Sequence, residues 1–119
     1  MPANKGLVLD SDVDAKIDVY GATVVVVLAR DVDAIGDLWH AFTAKLPTEY
    51  DLFEPTYHAG AGNDLSFRFA PDVVITDALL ELLSDIVAEW MFGNPRCSFE
   101  LPEVLHIKRP DGVVAYTDE

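Results

Sequence analysis

The chain has 119 residues, half of them hydrophobic and 24% charged, which is the composition of one folded domain and excludes an intrinsically disordered chain. Its 21 acidic residues outnumber 8 basic ones, for a formal net charge of −13, which opposes binding to nucleic-acid phosphates and to anionic membranes and suits basic partners, cations or solubility. Cys97 is the single cysteine, so no intrachain disulfide forms, and the apolar-rich run at 22–29 is far short of the ~20 residues of a membrane helix.

The first residues carry no secretory signal pattern, and together with the lone cysteine this indicates a cytoplasmic protein. Val13, Ala15, Ile17 and Val19 alternate with Asp12, Asp14, Lys16 and Asp18, the period of a half-buried strand. Gly21 interrupts it, and residues 23–28 (Thr-Val-Val-Val-Val-Leu) read as a central strand buried on both faces and joined to the first by a hairpin. Asp31 or Asp33 can cap the next element, in which Ile35, Leu38, Trp39, Phe42 and Leu46 follow helical spacing until Pro47. Residues 52–59 and 65–70 read as a hairpin around Gly60 and Gly62, with Pro55 marking the first strand as an edge.

Residues 72–75 are ambiguous between extended chain and a first helical turn. From Thr76, Leu79, Leu80, Leu82, Leu83, Ile86, Val87, Trp90 and Met91 make one wide apolar helix face, ended by Gly93 and Pro95. Residues 98–108 read as a strand that is irregular at Pro102. Arg109-Pro110-Asp111-Gly112 is a turn in which proline presets φ and glycine takes a positive φ, and residues 113–117 complete a last hairpin. The expected fold is a single α+β domain over residues 1–119: two helices on one face of an antiparallel-rich sheet, with a ferredoxin-like βαββαβ core and added hairpin strands.

No catalytic or metal constellation is legible. Asp10, Asp12 and Asp14 begin like a calcium loop, but the positions that need glycine and glutamate hold Ala15 and Gly21. His40, His58 and His106 are dispersed, and nothing in the sequence places a histidine beside Cys97, which reads as a structural thiol. Gly60 and Gly62 are explained by a hairpin turn, and no cofactor or metal is expected.

The acidic pattern is the informative feature. Asp77, Glu81, Asp85 and Glu89 recur every four residues, spread over about 120° of arc opposite the leucine-rich face. No lysine or arginine occurs between positions 69 and 95. Like charges at that spacing cost roughly 0.2–0.5 kcal/mol per pair, whereas a helix selected for solubility alone gains from Glu–Lys pairs. Asp33 and Asp37 repeat the spacing on the first helix. One ridge carries about one charge per 6 Å, too sparse to imitate a duplex whose strands each carry about one per 3.4 Å; two parallel ridges come closer.

These observations lead to a small non-enzymatic interaction module, an inhibitor or immunity-type protein that covers a basic surface of a partner protein, including a surface that otherwise holds nucleic acid. Acidity serving only solubility or a salt-rich cytoplasm is the plain alternative. A second functional alternative is a small-molecule-binding regulatory domain, oligomeric through its sheet, for which a homodimer is one form, with Tyr57, Arg68 and His106 as ligand contacts and Tyr57 facing Arg68 across the hairpin.

Overall fold

The computed structural model describes residues 13–32, 35–50, 52–56, 62–93 and 104–117. The elements are β1 (Ala15–Tyr20), β2 (Thr23–Val32), α1 (Ile35–Lys45), β3 (Leu52–Thr56), β4 (Gly62–Phe69), α2 (Asp77–Gly93), β5 (Val104–Arg109) and β6 (Gly112–Thr117). The strands form one mixed sheet in the order β3-β4-β2-β1-β5-β6. All neighbours pair antiparallel except β1 and β5, which run parallel with Ala15 opposite Ile107.

The fold class is α+β. The strand order, however, is not the ferredoxin-like one, because β1 lies between β2 and β5, which that arrangement would make neighbours. The reason is local. Tyr20 and Thr23 are paired across the two-residue turn Gly21-Ala22, where Gly21 has φ of 64°. That hairpin occupies the flank of β2 before β5 is reached, so β5 docks on β1 instead.

The core is one continuous cluster. Ala15 and Ile17 of β1, Val24, Val26 and Leu28 of β2, Leu65, Phe67 and Phe69 of β4, and Leu105 and Ile107 of β5 all turn to the face covered by the helices. From the helices come Ile35, Leu38 and Phe42 of α1 and Leu79, Leu80, Leu83, Ile86, Val87 and Met91 of α2. Phe67 joins the two layers, its ring 5.0 Å from Phe42 and 5.7 Å from Trp39. Burial of this kind contributes roughly 1.5–3 kcal/mol per large aliphatic or aromatic side chain.

The sheet's other face carries no layer among the described residues. Val25 and Val27 are only half-buried while Val24 and Val26 are completely buried, so β2 is central but not covered on both sides as its valine run predicted. The run satisfies β-propensity on one face and core packing on the other. Residues 72–75 resolve as non-helical. Helix α2 begins after Thr76, whose Oγ1 accepts the Leu79 N–H at 3.2 Å as an N-cap.

Candidate partner-binding site

The acidic row lies where the spacing placed it. Asp77, Glu81, Asp85 and Glu89 are all exposed along α2, and Asp37 is exposed on α1, which packs beside α2. Asp33 lies outside the described residues. Two of the four α2 carboxylates have partners that the helix itself does not supply. Lys45, at the C-terminus of α1, places its Nζ 3.0 Å from Glu89 Oε1. The Tyr116 hydroxyl donates to Asp85 Oδ1 at 2.7 Å. The row is therefore less self-repulsive than the sequence of α2 alone implies, because its compensation comes from α1 and β6.

The Tyr116 contact belongs to a chain of hydrogen bonds that pins β6 to α2. Arg109 Nη1 donates to Ser84 Oγ at 3.0 Å, and Ser84 Oγ lies 2.6 Å from the Tyr116 hydroxyl oxygen. With the Tyr116 hydrogen committed to Asp85, the Ser84 hydrogen lies between the Tyr116 oxygen and the Glu81 carbonyl, 3.0 Å away. Asp111 closes the far end, taking Arg109 Nε and Nη2 on its two oxygens at 2.9 and 3.0 Å. The bidentate geometry holds the guanidinium, whose side chain is only 11% exposed, in the plane that reaches Ser84. Burial, reinforced by the Asp85 carboxylate and opposed by Ser84 and Arg109, pushes the Tyr116 phenol up to about 12, so it remains a neutral donor at ordinary pH.

Beside this network a groove of about 560 Å³ opens between α2 and β6, lined by Asp85, Ala88, Glu89, Phe92, Gly93, Tyr116 and Thr117. Its carboxylates stand beside a wall made of Ala88, Phe92 and the Tyr116 ring. Such a combination accepts a cation on an aliphatic stem: the head meets a carboxylate and the methylenes lie on the apolar wall.

Sequence reasoning missed Ser84, Arg109 and Tyr116. One signal was present: Ser84 is a polar residue on the apolar side of α2, among Leu80, Leu83 and Val87, and it is fully buried. A buried hydroxyl requires a partner, but the partner lies 32 residues away on another element.

The residues proposed for a small ligand are not brought together. Arg68 on β4 and His106 on β5 share the uncovered sheet face, but β2 and β1 separate their strands by about 14 Å, and Arg68 lies level with Thr23 and Tyr20 while His106 lies level with Asp14 at the other end of β1. Arg68 is opposite Phe53 of β3, and Tyr57 lies outside the described residues. The Cys97 and His58 readings also lie outside them, as do Asp10 and Asp12. Asp14 has a structural role, its Oδ2 accepting the His106 N–H at 2.8 Å where β1 meets β5. Among the described residues no three His, Cys, Asp or Glu side chains cluster as metal ligands, and no helix is long and apolar enough to cross a membrane. No family model, no curated protein and no solved structure matches this chain.

Proposed function

We propose that this protein is a small non-enzymatic interaction module whose acidic helical face covers a basic surface of a partner protein, acting as an inhibitor or immunity-type protein. The observation that carries the reading is the exposed row Asp77, Glu81, Asp85 and Glu89 on α2, flanked by Asp37 on α1 and continuous with the carboxylate-lined groove. Net charge of −13 strengthens it by steering cationic surfaces toward the chain. The lone Cys97 suits a reducing compartment such as the cytoplasm.

The test is affinity capture from native lysate, followed by kinetics on the captured partner. The partner presents a basic surface and its binding weakens as salt rises. Charge reversal at Glu81 and Asp85 slows association where these residues steer from the rim of the interface, and speeds dissociation where they sit at its desolvated centre. A complex indifferent to both the double reversal and salt overturns the assignment of this face.

A further inference from the structure

We propose that β6 is a docking edge for an extended basic segment of the partner, which adds to the sheet as a further strand and seats an arginine or lysine side chain in the groove between α2 and β6. This inference rests on the reading of the acidic face as a partner-binding surface and specifies how that surface is engaged.

Three observations converge on β6. The first is its place in the sheet. It is the terminal strand, with no described strand beyond it. Arg109 pairs with Gly112 across the two-residue turn Pro110-Asp111, and the antiparallel register continues through Ile107–Val114 and Leu105–Tyr116. In such a hairpin the hydrogen-bonded pairs alternate from the turn, so Gly112, Val114 and Tyr116 direct their main-chain groups to β5. His106 agrees with this, since its carbonyl and its N–H are both engaged by Asp14 on the β1 side. Val113 and Ala115 consequently direct their N–H and C=O groups outward.

The second observation is the chemistry of the two edges. Edge strands are ordinarily guarded by charge or proline. The opposite edge, β3, has both in Leu-Phe-Glu-Pro-Thr, whereas β6 reads Gly-Val-Val-Ala-Tyr-Thr, with neither. An unguarded edge is a template for an incoming strand.

The third observation is the groove. A strand added at β6 places alternate side chains on the helix side of the sheet, level with Val114 and Tyr116, and so into the groove. There the stem of an arginine or lysine lies against Ala88, Phe92 and the Tyr116 ring, and its head meets Asp85 and Glu89. Tyr116 occupies Asp85 Oδ1 and Lys45 occupies Glu89 Oε1, which leaves Asp85 Oδ2 and Glu89 Oε2 as the acceptors for the incoming cation. Charge chooses the occupant. A second copy joined through β6 would bring two such grooves and two chains of net charge −13 together, while a basic segment neutralises them.

The experiment uses a short peptide alternating arginine with valine, its counterpart alternating glutamate with valine, the arginine peptide N-methylated on alternate amides, and polylysine, each added to the full chain at physiological ionic strength and followed by NMR of the backbone amides. The arginine peptide is expected to bind and to shift Val113, Ala115 and Phe92, and the glutamate peptide is not. N-methylation on the sheet-facing side, or Asp85→Asn with Glu89→Gln, weakens binding by about tenfold or more, the equivalent of one or two lost hydrogen bonds. Ala115→Pro removes one outward N–H without touching the β5 ladder and abolishes binding. If polylysine and the arginine peptide bind but neither N-methylation nor Ala115→Pro has any effect, strand addition is overturned while the acidic-face reading stands. If neither basic probe binds, both are overturned. Slow hydrogen exchange at Val113 and Ala115 in the free protein overturns the inference alone, because the edge is then already paired.

Discussion

The hydroxyl oxygens of Ser84 and Tyr116 lie 2.6 Å apart and tie the middle of α2 to the edge strand β6. Ser84 is fully buried, and the same contact links Arg109 on one side to Asp85 on the other. Ser84→Ala and Tyr116→Phe should therefore each cost about 1–2 kcal/mol, with Tyr116 losing a bond to a charged acceptor but in a half-exposed setting. Because the residues share one network, the double variant should fall short of the sum by about 0.5–1.5 kcal/mol. Denaturant midpoints of the four proteins complete the cycle. Strict additivity would show that the two hydroxyls do not act together.

Tyr116 also makes a signed prediction for alkaline stability. Its folded-state pKa of about 12 exceeds the ordinary value of 10.0, so between those values the native state holds a proton that the unfolded chain has released. The stabilisation from Tyr116 is complete below pH 10 and is lost as pH rises through about 12. Tyr116→Phe lacks this loss, so the stability gap between the two proteins should be constant up to about pH 10 and narrow above it. Urea titrations at stepped pH measure the gap. A gap that widens above pH 10 would contradict the sign.

Leu83 and Asp85 are two residues apart on α2 but on opposite sides of it. Leu83 is fully buried, so Leu83→Ala should cost about 2–5 kcal/mol. Asp85 is exposed, and removing its charge relieves repulsion from Glu81 and Glu89 worth a few tenths of a kcal/mol each. Its carboxylate also accepts the Tyr116 hydroxyl, so Asp85→Ala should be mildly destabilising, by about 0.5–1 kcal/mol. Chemical denaturation ranks the two, and a greater loss at Asp85 would place the wrong side of α2 in the core.

Dilute buffer separates a surface adapted to salt from one that is simply acidic. At about 0.01 M the Debye length reaches ~30 Å and repulsion within the acidic face is least screened. The three i,i+4 pairs on α2 cost on the order of 1 kcal/mol together, and Lys45 and Tyr116 offset part of that. The buried cluster outweighs a cost of this size, so circular dichroism should show the same folded signal at low and at molar salt. Loss of structure at low salt would assign the acidity to salt adaptation.

Much of the architecture was legible because it is local. The alternation of Ala15, Ile17 and Val19 marks β1, with Ala15 and Ile17 buried and Val19 partly buried against the same core. The three-and-four spacing from Leu79 to Met91 marks α2, and the alternation of Leu65, Phe67 and Phe69 marks β4. The turn at Pro110-Asp111-Gly112 follows from what proline and glycine allow φ to be, with Gly112 at 136°. The exposure of the acidic row followed from the same helical period.

The sequence by itself determined the order of strands and helices, which side of β1, β4 and the two helices is apolar, and that one side of α2 is a line of carboxylates. Each of these depends on residues within a few positions of one another, where backbone geometry sets the period. Only the tertiary structure decided that β1 separates β2 from β5, that Lys45 reaches Glu89, and that Ser84 meets Tyr116 and Arg109 beside a groove. Those outcomes depend on which strand pairs with which across tens of residues, a choice made by closing the whole core at once, and no local period in the chain encodes it.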